Sequence, residues 1–371
     1  MTGRAVAYAR GARNAGRPAV APVAEPLMRL VLALGLLVLS ALAAGAFDLE
    51  EETRFAAPGA AEGPELRILS TTDTAVFAPL IRAFQAAHPG TGVLYAVASS
   101  QEVHRAIYDE GAGFDLAISS AMDLQMKLAN DGLALPHRSP ATNALPGWAR
   151  WRDHLFAFAQ EPVVLIIAGP ALTGLAMPRT RQELVELLRD NPGRFLGRIG
   201  TYDPNLSGAG YLFATQDARQ SDTFWRLAEV MGTLSPRLYA TSGGMIDDLQ
   251  AGRLALAYNV LGSYAAARLP GDGDGQIVEL EDFTLTLLRT ALIPRSAPNP
   301  DRGAAFLDFL LSPQGQRLVA EAAGLPPIDE GALAAGQHLR PIRLDPGLLV
   351  YVDPIKRQRF LREWTAAVIQ P

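Results

Sequence analysis

The sequence contains no cysteine, and only two of its 371 residues, Lys127 and Lys356, are lysines. Without cysteine the chain can form neither disulfides nor thiolate zinc sites, iron–sulfur clusters or a cysteine nucleophile. A chain of this length with 49% hydrophobic residues can bury a core large enough to fold without cross-links. Acidic residues outnumber basic ones by 38 to 33, so the composition offers no basic footprint for nucleic acid or an anionic membrane surface.

Sequence motifs of the common enzyme classes are also missing. The five histidines are scattered and never occur at the i, i+4 spacing of a helical metal site. There is no H-E-x-x-H, G-x-S-x-G, S-x-x-K, Walker A or G-x-G-x-x-G motif. Residues 271–275 resemble the start of a calcium loop, but the glycine and glutamate that such a loop needs further on are absent. We therefore expect a protein that is not an enzyme and that holds neither a metal nor a cofactor.

The N-terminal 46 residues have the three parts of a secretory signal peptide. Residues 1–27 carry four arginines against one glutamate, and an apolar run follows from Leu30 to Ala44. That run has about 15 residues, fewer than the roughly 20 that span a bilayer as a helix. It ends in Ala44-Gly45-Ala46, small residues of the kind that a signal peptidase reads. The pattern predicts a signal peptide at 1–46 and a periplasmic protein. An uncleaved anchor and translation from Met28 are the alternatives.

Strands and helices alternate along the next part of the chain. Residues 47–65 are acidic and then rich in Ala, Pro and Gly, and their lack of periodicity predicts a linker. Apolar strands then begin near Leu66, Val93 and Leu116, and each leads through a polar loop into a helix with one apolar face. Such alternation predicts βαβ units and a mostly parallel sheet flanked by helices.

A second α/β region follows, and the length of the chain predicts two lobes. Leu155–Ala159 and Val163–Ala168 are strand-like runs separated by Gln160-Glu161-Pro162, and Phe283–Ile293 is a long strand-like run. These segments are predicted to connect the lobes. The predicted domains are a signal peptide at 1–46, a linker at 47–65, the first part of lobe 1 at 66–160, lobe 2 at 161–285, and a return to lobe 1 with a C-terminal helix at 286–371.

Polar loops follow most of the predicted strands. In open parallel sheets, ligands bind beyond the carboxyl ends of the strands, and helix N-termini there favour an anion. Ordinary N-capping is the alternative for any single loop, because Ser, Thr and Asp cap helices everywhere. The candidate ligand-binding residues are Ser70, Thr71, Thr72, Asp73, Ser119, Ser120, Asp123, Tyr202, Ser207, Gly208, Ser242, Tyr258, Asn259 and Tyr264.

Several stretches resemble one family. They are STTDTAVFAPLIRAFQAAHPG (70–90), ISSAMDLQMKLANDG (118–132), GRIGTYDPNLSGAGYL (197–212), LAYNVLGSYA (256–265) and IPRSAPNPDRGAAFLDFLLSPQGQ (293–316). In order and spacing the chain resembles the periplasmic solute-binding proteins of the iron(III) type, and within them the phosphoglycerate transport regulatory and hexose-phosphate-binding branch. The resemblance implies a class II-like, two-lobed periplasmic binding protein fold with hinge strands, a monomer that closes on its ligand, and delivery to an ABC permease with its ATPase.

The resemblance also bears on the ligand. Ferric-binding members hold the metal with an adjacent tyrosine pair in the second lobe, but here the sequence reads Tyr258-Asn259 and the next tyrosine is Tyr264. The first-lobe loop carries Thr72-Asp73 and no histidine. We therefore expect a phosphorylated or carboxylated organic anion as ligand. Ferric iron and cations such as polyamines or thiamine-like compounds are alternatives, and a sensor kinase is an alternative partner.

Overall fold

The computed structural model describes residues 47–58, 65–269 and 275–370. The predicted signal peptide, with its alternatives at residues 1–46, lies outside the described residues, as does most of the 271–275 turn. Within the described ranges no helix combines the length and the apolar character needed to cross a bilayer.

The described residues form strands that join into a single mixed sheet. The strands are β1 (Glu51–Phe55), β2 (Leu66–Ser70), β3 (Val93–Val97), β4 (Leu116–Ser119), β5 (Ala134–Leu135), β6 (Arg150–Trp151), β7 (Leu155–Ile167), β8 (Ile199–Tyr202), β9 (Arg237–Tyr239), β10 (Leu256–Leu261), β11 (Gln276–Val278), β12 (Thr284–Pro294) and β13 (Leu339–Pro341).

Helices occupy most of the connections between these strands. They are α1 (Thr74–Ala87), α2 (Ser100–Tyr108), α3 (Met122–Asn130), α4 (Pro140–Ala144), α5 (Arg181–Asp190), α6 (Pro192–Phe195), α7 (Gly208–Gln220), α8 (Thr223–Thr233), α9 (Ser242–Gln250), α10 (Gly262–Arg268), α11 (Pro300–Leu311), α12 (Pro313–Glu321), α13 (Glu330–Ala335) and α14 (Pro354–Val368). Short 3-10 turns lie at Gly147–Ala149, Gly169–Leu172 and Pro346–Val350.

The sheet has two parallel halves joined by long antiparallel strands. Its strand order is β1-β3-β2-β4-β12-β7-β10-β8-β9, with β5 and β13 paired to β12, and β6 and β11 paired to β7. β2 runs parallel to β3 and β4 in one lobe, and β8 runs parallel to β9 and β10 in the other. β7 and β12 pair antiparallel at the junction of the two halves. The predicted two-lobed α/β fold is thus confirmed.

The strand β7 is continuous, where the sequence predicted two runs with a break. Its first part pairs with β12 up to Pro162, and from Val163 onward it pairs with β10. Proline has no N–H to donate to a neighbouring strand, and here it stands where β7 changes partners. The predicted lobe boundaries at 160/161 and 285/286 therefore fall inside β7 and β12, which belong to both lobes.

Two further segments differ from the predicted organisation. Glu51–Phe55, assigned to a linker, form β1 and pair antiparallel with β3. β1 lies at the edge of the sheet, and three of its five side chains are exposed acids or arginines. Its sequence therefore gives only a weak strand signal. The C-terminal helix α14 packs on α8 of lobe 2, while α11 packs on β2 and β4 of lobe 1. The last part of the chain thus returns to lobe 1 and then crosses back again.

Each lobe has its own buried core, and a larger cluster joins them. Phe77 and Phe306 belong to a cluster on one face of the lobe 1 strands, and Leu184 and Leu227 belong to a cluster on one face of lobe 2. A third cluster includes apolar residues of both crossing strands. Trp364 of α14 packs with Tyr211 and Phe224 in a fourth. Packing in these clusters fixes the positions of the strands. The polar loops that follow the parallel strands therefore lie at one edge of the sheet.

Candidate functional site

A cavity of about 310 Å³ lies between the two lobes. Loops that follow β2, β3 and β4 contribute residues from lobe 1, and the loops before α7 and α9, together with α10, contribute residues from lobe 2. This is the position that parallel sheets provide for ligands, because the carboxyl ends of their strands meet at one edge. Its lining residues include Glu50, Thr71, Asp73, Ser99, Ser100, Ser120, Tyr202, Ser207, Thr241, Ser242, Gly243, Gly244, Asp247, Tyr264 and Arg268.

Half of the predicted ligand-binding residues line this cavity. They are Thr71, Asp73, Ser120, Tyr202, Ser207, Ser242 and Tyr264. They lie at or after the ends of β2, β4 and β8 and on α9 and α10, so both lobes contribute. That these residues bind a solute stays a prediction.

Three helix N-termini meet at the cavity. The Oγ of Ser99 accepts a hydrogen bond from Glu102 N at 3.3 Å, at the start of α2. The Oγ of Ser207 accepts one from Gly210 N at 3.1 Å, at the start of α7, and Thr241 Oγ1 accepts one from Gly244 N at 3.2 Å, at the start of α9. Each cap satisfies one of the four N–H groups that a helix leaves without an intrahelical partner. Ser100, Ser242 and Gly243, which belong to these first turns, line the cavity.

The lobes touch each other directly beside the cavity. Ala209 N, in the first turn of α7, donates to Ser100 Oγ at 3.3 Å, and Gln101 Nε2 donates to the carbonyl of Asn205 at 2.9 Å. Asp73 N donates to Tyr264 Oη at 3.4 Å. Gly208 fits into this contact because it has no side chain: a Cβ there would lie 2.8 Å from Ser100 Oγ. The structure therefore shows the lobes closed over the cavity.

Two tyrosines of the wall are neutral hydrogen-bonding groups. Tyr202 Oη and Ser242 Oγ are 2.5 Å apart, and Ser242 Oγ also accepts from Leu261 N at 3.0 Å. Burial raises the pKa of Tyr202 above its ordinary value, and burial raises the pKa of Tyr264 to about 12. Both phenols keep their protons at neutral pH and shape the wall without adding charge.

Four other predicted residues do not line the cavity but pack against or hydrogen-bond the loops that do. They are Ser70, Thr72, Ser119 and Gly208. Ser70 Oγ accepts from Thr72 N at 3.0 Å, and Ser119 Oγ accepts from Ala121 N at 3.1 Å. Thr72 is fully buried, and its Oγ1 accepts from Arg289 at 2.5 Å. Together with Gly208 in the lobe contact, these residues hold the positions of the residues that line the cavity.

Tyr258 and Asn259 lie elsewhere, in a buried network behind α7. Tyr258 Oη donates to Asp217 at 2.8 Å, Asn259 Nδ2 donates to the same carboxylate at 2.9 Å, and Arg181 Nη2 contacts it at 3.0 Å. Asn259 has a left-handed backbone with φ of 65°, at an irregularity in the β10–β7 pairing between Ala257 and Val260. This bulge and the buried carboxylate of Asp217 place both side chains at a cavity of only about 10 Å³. The prediction that they line the cleft is corrected accordingly.

Asp123 also lies outside the cleft. It is 2% exposed and lines a second cavity of about 320 Å³, which α2 and α3 of lobe 1 form with Tyr211 of α7 and Arg357 of α14. One of its carboxylate oxygens accepts from Leu124 N at 2.9 Å. Burial raises its pKa to about 7, against the opposing effects of backbone hydrogen bonds and of Arg357.

The sequence did not reveal three charged residues of the cleft. Glu50 precedes β1 in the segment assigned to the linker, Asp247 is on α9, and Arg268 is the last residue of α10. Arg268 pairs with Asp247, and its Nη1 donates to the carbonyl of Gly243 at 3.3 Å. In the sequence, Glu50 and Asp247 have no local pattern that separates them from ordinary solvent-exposed acids. Arg268 has the position of an ordinary arginine in the last turn of a helix.

A buried ion pair between β7 and β12 lies at the junction of the lobes. Arg289 of β12 is 1% exposed and donates from Nε to Glu161 of β7, which is fully buried. Glu161 also accepts from the hydroxyl of Ser263 on α10, and Arg289 donates to Thr72 after β2. Both crossing strands, a lobe 1 loop and a lobe 2 helix thus share one set of hydrogen bonds.

Two lobes joined by crossing strands, with a cleft lined by hydroxyls and helix N-termini, define the class of solute-binding proteins. The chain belongs to the bacterial extracellular solute-binding protein family, whose sequence profile matches residues 66–325. The predicted membership among solute-binding proteins of ABC transporters is confirmed at this level, and the narrower branch stays a prediction. A search of curated protein sequences finds no match.

Solved structures agree with this assignment. The crystal structure of the substrate binding protein of an ABC transporter from Agrobacterium tumefaciens is 34% identical, with a TM-score of 0.82 over 86% of this chain and 98% of that one. The periplasmic binding protein AfuA from Actinobacillus pleuropneumoniae, with fructose-6-phosphate bound, is 16% identical, with a TM-score of 0.65 over 83% and 99%. Iron-bound HitA from Pseudomonas aeruginosa is 15% identical, with a TM-score of 0.61 over 82% and 99%. The last two show that the fold is shared.

Proposed function

We propose that this protein is the periplasmic receptor of an ABC importer and that it captures a small organic solute through a phosphate or carboxylate group in the interlobe cleft. The observation that carries this proposal is the meeting of the α2, α7 and α9 N-termini at one cavity. Backbone N–H groups and the helix dipole favour an anion at each of these ends.

The α9 end is the strongest candidate for the acidic group. Its first turn, Ser242-Gly243-Gly244, lines the cavity with two residues that have no side chain to cover the backbone. Arg268 lies against Gly243 and brings the positive charge of a guanidinium. A planar guanidinium and adjacent N–H groups suit carboxylate and phosphate oxygens.

An organic solute is preferred over ferric iron because the tyrosines are unsuited to the metal. Tyr258 Oη donates a hydrogen bond to Asp217 inside lobe 2, and burial raises the pKa of Tyr258 well above its ordinary value. Iron(III) sites need deprotonated phenolates that reach the metal. Among the described residues there is no group of three or more His, Cys, Asp or Glu side chains that could hold a metal ion. Structural neighbours bind either class of ligand, one with iron and one with fructose-6-phosphate.

In this proposal the protein acts as a monomer after export by its signal peptide. The closed lobes would present the loaded receptor to a permease and its ATPase, as hinge closure does in periplasmic binding proteins generally. A sensor kinase could read the same closed state, and genes for a permease and an ATPase beside this one would favour import.

The proposal is tested on protein purified from the periplasm of an expression host. Native mass spectrometry should find a retained organic acid, and phosphorylated or carboxylated metabolites should raise the melting temperature where ferric citrate does not. A solute at 100 times its Kd stabilises a protein by about 2.7 kcal/mol. A pink protein with a phenolate-to-iron absorption band would contradict the proposal.

A further inference from the structure

Two carboxylates of lobe 1 face the cavity without a balancing cation. Glu50 and Asp73 both line it, and neither side chain has a hydrogen-bond or ion-pair partner among the described residues. Asp73 occupies the N-cap position of α1, yet its carboxylate accepts no hydrogen bond from that helix. Its oxygens are therefore free toward the cavity instead of being used for capping.

The two carboxylates line the same cavity. Partial burial, and then the charge of Asp73, raise the pKa of Glu50 above its ordinary value. Like charges held together at a partly desolvated wall create a negative potential that attracts a cation. Glu50 and Asp73 are both exposed, so neither side chain belongs to the core of lobe 1.

On the opposite wall the charges are paired. Arg268 is the single basic side chain among the described residues that line the cavity, and it belongs to lobe 2 beside the α9 N-terminus. Its pairing with Asp247 neutralises part of its charge but also fixes the guanidinium at the helix end. Lobe 1 thus presents negative charge and lobe 2 presents donors across a cavity of about 310 Å³.

We infer that the solute is a zwitterion, with an ammonium group against Glu50 and Asp73 and its acidic group at the α9 N-terminus and Arg268. The inference rests on the proposed function, and it narrows the solute class from organic acids to amino-carboxylates or amino-phosphonates. A dianion such as a dicarboxylate would place its second charge against two carboxylates, an arrangement that disfavours binding.

Isothermal titration with solutes of matched chain length tests the inference. The set is δ-aminovalerate, glutarate and cadaverine, with an aminoalkyl phosphonate and the corresponding alkyl phosphonate to separate the two acidic groups. At least one zwitterion should bind about tenfold or more tightly than the acid without an amine. Equal or tighter binding of glutarate or the alkyl phosphonate overturns the inference and leaves the proposed function intact. Preference for cadaverine counts against both, whereas no binding by any of the set counts against the inference and leaves the proposed function to the retained-ligand test.

Charge-removing variants supply the second arm. Glu50→Gln and Asp73→Asn together should weaken binding of the preferred zwitterion by about tenfold or more while leaving the affinity for the matched acid unchanged or improved. Glu52→Gln is the matched control, because this exposed carboxylate of β1 does not line the cavity. Since both altered residues are exposed, melting temperatures should stay close to that of the unaltered protein. Equal loss of affinity for zwitterion and acid would overturn the inference.

Discussion

At the scale of single residues, the Arg289–Glu161 pair is the most consequential feature that the sequence concealed. Arg289 and Glu161 are almost completely buried, and each also bonds a residue of one lobe, Thr72 or Ser263. A buried charge left without its partner is costly, whereas an ion pair as a whole contributes little net stability. The pair and its hydrogen bonds connect β7, β12, the loop after β2 and α10 at the junction of the lobes.

Removal of one partner should be strongly destabilising. Glu161→Gln is expected to lower the free energy of unfolding by about 3 kcal/mol or more, because it leaves a buried guanidinium uncompensated. Urea unfolding measures the change, and the Glu161→Leu/Arg289→Met double variant should lose less than the sum of its single variants. The exposed pair Arg359–Glu363 is the control, since Glu363→Gln should leave stability nearly unchanged. Equal effects at the two sites would contradict the prediction.

Asp123 predicts a dependence of stability on pH. Its pKa in the folded protein is raised to about 7 by burial, while the ordinary value is 3.8, so between these pH values the folded state binds a proton that the unfolded state has lost. The contribution of this carboxyl to stability is therefore present below pH 3.8 and is lost as pH rises to about 7. Tyr211 and Arg357 face it from α7 and α14.

Asp123→Asn should remove that dependence. Relative to the unaltered protein, the variant should gain stability as pH rises through this range, with a slope of up to about 1.4 kcal/mol per pH unit. Urea unfolding of both proteins at matched ionic strength provides the comparison. Parallel stability curves for the two proteins would show that Asp123 titrates normally.

At the scale of secondary-structure elements, the N-terminus of α7 provides one of the contacts between the lobes. Gly208→Ala would place a methyl group 2.8 Å from Ser100 Oγ and 2.9 Å from Leu124 Cδ1, both across the lobe contact. We expect about tenfold weaker binding of the solute that the purified protein retains, because closure is hindered while each lobe stays intact. Calorimetry measures the affinity, and small-angle scattering measures closure.

Gly193→Ala is the matched control for this element. Gly193 lies in α6, and a Cβ there would meet nothing within 4 Å. Its affinity should equal that of the unaltered protein. If Gly208→Ala bound solute equally well, the contact at α7 would not limit closure.

At the scale of the whole molecule, the chain crosses between the lobes more often than its periodicity indicated. β7 and β12 cross as long strands, and the segment after α13 leads from lobe 1 to α14 on lobe 2. The helices α5 and α11 have strong N-terminal signals and an amphipathic pattern, which a sequence is enough to reveal. The membership of α14 in lobe 2 could not be predicted, because an apolar face does not specify its partner.

The sequence by itself determined the α/β class, most of the central elements and seven of the residues that line the cleft. These depend on local periodicity, on capping residues, and on the rule that parallel strands end at one edge. The tertiary structure alone decided that Tyr258 and Asn259 face Asp217, that Asp123 lies in a separate cavity, and that Glu50 and Arg268 reach the cleft. Side-chain direction at a bulge and the pairing of distant charges depend on contacts between segments far apart in the chain. No local pattern records those contacts.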